Sequence, residues 1–268
     1  MATSEIRTMA ELLALNIKDV ITRYPAVGEI LSAADIGCVT CQVGTCAMKD
    51  VVGIHGLSPE QEFVLFEKIA AVVFPSQKVE IPRAAPRLAA KAGARRLSPP
   101  MVELIAEHTY IKRVIACLPA LAAGLSSPPT AAQQETVRAV IDFVRNFADR
   151  FHHAKEEDLL FKYFDEGLDV IRAMHADHET GRGHIRAAAA AIEQGDAVTV
   201  REHLVAYGAL LTEHIRKEDE ILYPWMDREL TDARIGQLFA RFREVDERFG
   251  GRPAQYRAWV AELEEQTA

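Results

Sequence analysis

The chain has 268 residues, 49% of them hydrophobic, and a formal net charge of -8. That length and apolar content allow one large or two smaller domains with buried cores, and the acidity argues against nucleic acid as a partner, since phosphate binding needs a basic face. The N-terminus, MATSEIRTMAELLALNI, lacks a basic region followed by an apolar run and a cleavage site, and no segment has the roughly 18 uninterrupted apolar residues of a membrane helix, so the expectation is a cytoplasmic protein with no membrane partner.

From residue 9 to 74 the chain carries short amphipathic runs, IKDVITRY, VGEILSAAD and PEQEFVLFEKIAAVV, broken by Pro25, by a cysteine-bearing turn and by the helix start Ser58-Pro59-Glu60. Residues 1–74 therefore predict a small helical module. Residues 75–98 are rich in Pro, Ala and basic side chains without a sustained apolar period, and read as a linker. From Pro99 onward four segments show a helical period, 99–122, 130–163, 169–193 and 197–223, joined by GLSSPPT, DEGL and QGD. Short loops between long helices make antiparallel neighbours, so residues 99–268 predict an all-α, up-down four-helix bundle. Two further amphipathic stretches, around IGQLFARFREV and AQYRAWVAEL, follow it and are split by Gly250-Gly251.

The stretch FHHAKEEDLLF sets two histidines four residues ahead of two glutamates. At about 100° per residue, side chains four apart share a helix face and can present two ligands to one metal. On that wheel His152 borders the apolar stripe of Val137, Ile141, Val144, Ala148, Phe151 and Leu159, while His153 falls outward with Asp142, Asn146 and Asp149. Glu156 lies nearer the core than Glu157, so the inward pair is His152 with Glu156, and His153 and Glu157 are expected to be solvated. The last bundle helix repeats the device, with His214 and Glu218 inward and Asp219 turned about 100° away. His178 lies on the line of Ile171, Met174, Ile185 and Ile192 with His175 at its edge, and His108 shares a face with Met101, Leu104, Ile111 and Ile115. A buried glutamate is costly unless paired or bound to a cation, and here two would each stand one turn from a histidine, which points to a metal centre. His203 faces inward about three turns from His214, roughly 16 Å by the helix rise, and is read as structural. Gly181 and Gly183 are read as easing close packing.

Of the four cysteines, Cys38, Cys41 and Cys46 cluster in the turn of the N-terminal module, with His55 nearby. Such thiols could hold a zinc ion or an iron-sulfur cluster, form a redox disulfide, or be plain buried thiols. Cys117 lies opposite the inward face of its helix and is given no role.

The motifs EHTYI, HHAKEE, DHETGR and HIRKEDEILYP, in this order over roughly residues 99–228, resemble those of the hemerythrin-like, HHE cation-binding family. The resemblance implies two iron ions with an oxo or hydroxo bridge, held by His108, His152, His178 and His214 with Glu156 and Glu218 bridging. Oxygen-carrying hemerythrins have a second histidine four residues after the first on the third helix, where this chain has Arg182, and their last carboxylate follows its histidine by five residues. Asp219 would satisfy that spacing, and His175 could supply a fifth histidine. Four histidines with two glutamates instead resemble the RIC or ScdA-like branch of iron-sulfur repair proteins, linked to nitric oxide stress. The run YPAVGEILSAADIGCVTCQVGTC resembles the DUF1858 or ScdA N-terminal domain, which usually carries two adjacent cysteines where this chain spaces three. What the resemblance implies is an oxidoreductase that binds and reduces nitric oxide, dioxygen or peroxide, with an electron-donor protein or an iron-sulfur protein as partner. A sensor or an iron store that binds without turnover fits the same residues.

Overall fold

The computed structural model describes residues 6–34, 36, 47–49, 51, 57–75, 77, 79–82 and 97–267. Cys38, Cys41, Cys46 and His55 lie outside these residues. The described residues are helical, with one isolated antiparallel bridge between Asn16 and Ala47 and no strand. They divide into two compact units, one of Met1–Arg96 with Gly167–Ala173 and one of Leu97–Glu166 with Met174–Ala268. No described helix is long and apolar enough to cross a membrane.

The first unit contains α1 (Met9–Ala14), α2 (Ile17–Arg23), α3 (Pro25–Ala33) and α4 (Pro59–Val73). Their starts follow from local chemistry. The Thr8 hydroxyl accepts from the Glu11 N–H while the Glu11 carboxylate accepts from the Thr8 N–H, and Ser58 and Gln61 repeat this reciprocal cap ahead of Pro59. Leu12, Ile17, Val20, Leu31, Phe66 and Ile69 fill one core between these short helices, each too short to persist alone.

The second unit is a helical bundle. It comprises α5 (Pro99–Gly124), α6 (Ala131–Phe143), α7 (Asp169–Glu193) from Met174 onward, α8 (Ala197–Lys217), α9 (Tyr223–Glu229), α10 (Asp232–Phe249) and α11 (Arg252–Thr267). Helix α6 runs without a break into π-helical turns at Val144–His153 and Glu156–Leu160, and α8 passes through another at Glu218–Leu222 into α9. Thr130 and Gln133 form a capping box at α6, and the Asp196 carboxylate accepts from the Val198 and Thr199 N–H groups to start α8. Gly195 supplies the positive φ of 70° that the tight α7–α8 turn needs.

Helix α5 packs against α8, closely at Gly208, where a Cβ would stand 3.4 Å from Leu118 Cδ1. Its other flank is covered by α10 and α11. Cys117, expected opposite the inward face of α5, is not exposed by that placement. It is buried, and its thiol donates to the Arg113 carbonyl at 3.3 Å, because the C-terminal helices turn the outer side of α5 into a second interior.

Candidate metal centre

The π-helical turns decide which side chains reach the bundle interior. An α-helix closes i→i+4 hydrogen bonds at a steady angle, whereas a π turn closes i→i+5 and packs more residues into each turn. Adjacent residues then diverge less in direction. His152 and His153 are both buried, at 0% and 5% exposure, so the outward placement of His153 is wrong. A wheel of constant pitch loses register beyond Val144, where the widened turns begin.

Two groups of side chains result. His108, His152, Glu156 and Glu218 present ligand atoms within 4.8 Å of one another, and His153, His178 and His214 do the same beside them. The two glutamates connect the groups. Glu218 places Oε2 3.3 Å from His108 Nε2 and Oε1 3.1 Å from His214 Nε2, and Glu156 Oε2 lies 3.7 Å from His152 Nε2 and 3.5 Å from His178 Nε2.

A ring of carboxylates holds four of the imidazoles from behind. Glu107 on α5 accepts from His152 Nδ1 at 2.9 Å, and Glu157 in the π-helical continuation of α6 accepts from His178 Nδ1 at 2.6 Å. Asp177 on α7 accepts from His214 Nδ1 at 3.3 Å, and Asp219, in the π turn after α8, accepts from His108 Nδ1 at 2.7 Å. Each helix thus orients a histidine of the next, and the circuit closes on itself. With Nδ1 protonated, the lone pair of each of these rings is on Nε2, as a metal ligand requires. Each of the four acids sits next in sequence to an inward residue. Asp219 and Glu157 are half-buried supports in this arrangement, so the expectation that Glu157 is solvated is corrected too.

Two further side chains were not expected from the sequence. Lys155 is completely buried, and its ammonium donates to Glu107 Oε1 at 2.6 Å, Glu103 at 2.7 Å and Asp246 at 2.9 Å. It also stands 4.0 Å above the Phe151 ring. Glu107 therefore bridges Lys155 and His152. The Tyr223 hydroxyl donates to Glu156 Oε1 at 2.5 Å, and its ring stacks on that of His108. No spacing rule flagged either residue.

The polar atoms at the centre fit a bound cation. His152 Nε2, Glu156 Oε2 and both carboxylate oxygens of Glu218 are buried and make no hydrogen bond, although such groups almost always find a partner. His178 and His214 bring Nε2 to Nε2 at 2.9 Å, which two lone pairs tolerate only with a proton or metal between them. Burial and the facing Glu218 push the Glu156 carboxyl well up. Burial acts to raise Glu218 as well, but His214 and His108 outweigh it and hold that carboxyl well below its ordinary value. Burial keeps His152 and His178 uncharged. Burial also lowers His214, yet Glu218 and Asp177 win and raise it to about 9. A site of this kind takes up protons or metal cations, and a metal displaces the protons.

Other expected residues fall outside the two groups. His175 is 34% exposed, with Nε2 3.8 Å from Glu166, and belongs to neither. His203 is half-buried and meets His184 Nδ1 to Nδ1 at 2.9 Å on the neighbouring helix. Arg182, at the position where a further histidine was considered, pairs instead with Asp149 at 2.7 Å and Glu157 at 2.9 Å. A Cβ on Gly181 would touch Leu211 and Tyr207 at 3.4 Å, consistent with close packing. One on Gly183 would meet only the Arg186 side chain at 3.9 Å, so close packing does not explain that glycine.

Residues 100–226 match the family described as the hemerythrin HHE cation binding domain. The matched span contains every member of the two groups and all four carboxylates of the ring. No curated protein and no solved structure matches the chain.

Proposed function

We propose that the hemerythrin-like domain at residues 100–226 holds two iron ions and uses them to bind and reduce a small oxidant such as nitric oxide, dioxygen or peroxide. The observation that carries this reading is the set of buried, unpartnered nitrogen and oxygen atoms of His152, Glu156 and Glu218 at the junction of two histidine groups. His108 and His152 would hold one ion and His153, His178 and His214 the other, with Glu156 and Glu218 standing between the two groups. Five imidazoles, two carboxylates and no thiolate suit iron in a helical bundle better than a closed four-ligand zinc site. When bound, the iron pair supplies reversible one-electron chemistry. The chain's own residues do the rest: the ring carboxylates keep each Nε2 aimed inward, Tyr223 fixes one oxygen of Glu156, and the bundle excludes bulk water. An electron-donor protein or the N-terminal cysteines would replace the electrons used.

Metal analysis of protein purified from iron-replete cells should find two irons per chain. Anaerobic mixing of the reduced protein with nitric oxide, oxygen and peroxide in separate runs should change its absorption spectrum with at least one of them. One tightly held zinc and no iron, in protein shielded from exchange, would overturn the proposal.

A further inference from the structure

A cavity of about 210 Å³ reaches the histidines of the second group, with His153 and His178 in its wall. It is smaller than the roughly 300–1,000 Å³ of pockets that take drug-sized ligands and has room for several waters at about 30 Å³ each. Its lining carries four arginines. Arg145 and Arg150 are exposed, and Arg182 and Arg186 complete the wall. Asp149 also lines it, held by Arg182, while Arg186 meets Glu179 in an exposed pair that is worth little in water. Counting Asp149, Glu157 and Glu179 against the four guanidinium groups still leaves an excess of positive charge. Tyr207 also lines the cavity. It is 2% exposed, and its hydroxyl has no hydrogen-bond partner, an arrangement that is unfavourable unless an acceptor arrives.

We propose that this cavity admits a small inorganic oxyanion to the metal centre, with Arg145 and Arg150 drawing it in and the Tyr207 hydroxyl donating a hydrogen bond to it. The inference rests on the iron reading above and narrows it, because a neutral diatomic needs neither the charges nor the donor. An excess of one sign of charge at a cleft raises the encounter rate of the opposite charge, here through the two exposed arginines, and salt suppresses the gain.

The test uses nitrite with the full iron-loaded chain in its oxidised form, mixed by stopped flow at low and high salt. Association should slow with salt in the wild type, whereas Arg145→Glu/Arg150→Glu should slow it at least 10-fold at low salt and remove the salt dependence. Both arginines are exposed and outside the metal groups, so iron content and helicity should be unchanged. The rate with nitric oxide, measured on the reduced form, should not move. Tyr207→Phe should weaken nitrite binding 5-fold or more at an unchanged association rate. Salt-independent nitrite association, equal in wild type and double variant, would overturn the inference, as would equal slowing of nitric oxide. A chain with no iron that still binds nitrite by calorimetry, with the loss in Tyr207→Phe, would sink the iron reading and leave the cavity standing.

Discussion

Replacing Lys155 with methionine tests whether the interior between α5, α6 and α10 depends on a single buried cation. Methionine matches the length of the lysine stem but removes the charge. Of the three carboxylates that Lys155 touches, Glu103 and Asp246 keep contacts to Arg243, whereas Glu107, 1% exposed, has among the described residues no cation other than Lys155 within ion-pair distance, its second partner His152 being uncharged. Burial already pushes the Glu107 carboxyl up to about 7 with the ammonium beside it, so without Lys155 it would be protonated at neutral pH. Breaking a buried pair by removing one partner costs about 3–5 kcal/mol, and protonation of Glu107 caps the loss near the lower figure. A loss of about 3 kcal/mol corresponds to a fall of roughly 6–12 °C in Tm for a unit of this size. Denaturant unfolding of Lys155→Met and of Lys155→Met/Glu107→Gln measures it. The double variant should recover at least about 1 kcal/mol, since glutamine can still accept from His152 and, unlike Glu107, needs no proton to be neutral. A single variant within about 1 kcal/mol of wild type, or a double variant no better than the single, would refute the argument.

His153→Ala should lose iron as fully as His152→Ala, while His175→Ala keeps it; metal analysis of the three purified variants decides. Asp219→Asn should weaken metal affinity about 10-fold to 100-fold in a chelator competition with helicity unchanged, because the amide holds His108 Nδ1 less firmly than a carboxylate. Gly183→Ala should stabilise the protein by about 0.5–1 kcal/mol in denaturant unfolding, since it fills open space and lowers the backbone entropy of the unfolded chain.

Helical periodicity was enough to find the bundle, because Pro99-Pro100, Thr130 and Asp196 mark helix starts by local chemistry and the apolar stripes extend over many turns. It also placed His108, His152, Glu156, His178, His214 and Glu218 inside, where the structure has them. What it could not place depends on pitch and on partners distant in sequence. His153 was lost because the wheel assumes one angle per residue, and nothing in FADRFHHAKEE announces a π turn. Lys155 reads as an ordinary surface lysine until α10 brings Asp246 over it from 91 residues away. The carboxylate ring did leave a trace. Glu107 precedes His108, Asp177 precedes His178, Glu157 follows Glu156 and Asp219 follows Glu218, so an acid beside four of the inward residues was a legible sign of an outward neighbour with work on another helix, although His152 and His153 have none.

The widened turn at Val144–His153 has a consequence for how such a centre can be gained or lost. Substitutions at single positions remove one imidazole at a time. Deletion of one residue between Val144 and Phe151 would instead let the helix relax to ordinary pitch, swing His153 towards solvent and strip the second histidine group of one member while every ligand codon stays intact. A chain that differs from this one by a single-residue gap in that stretch would keep its HHE motif by inspection and hold its metals differently, so length, as much as residue identity, is the character to compare between descendants of a common ancestor.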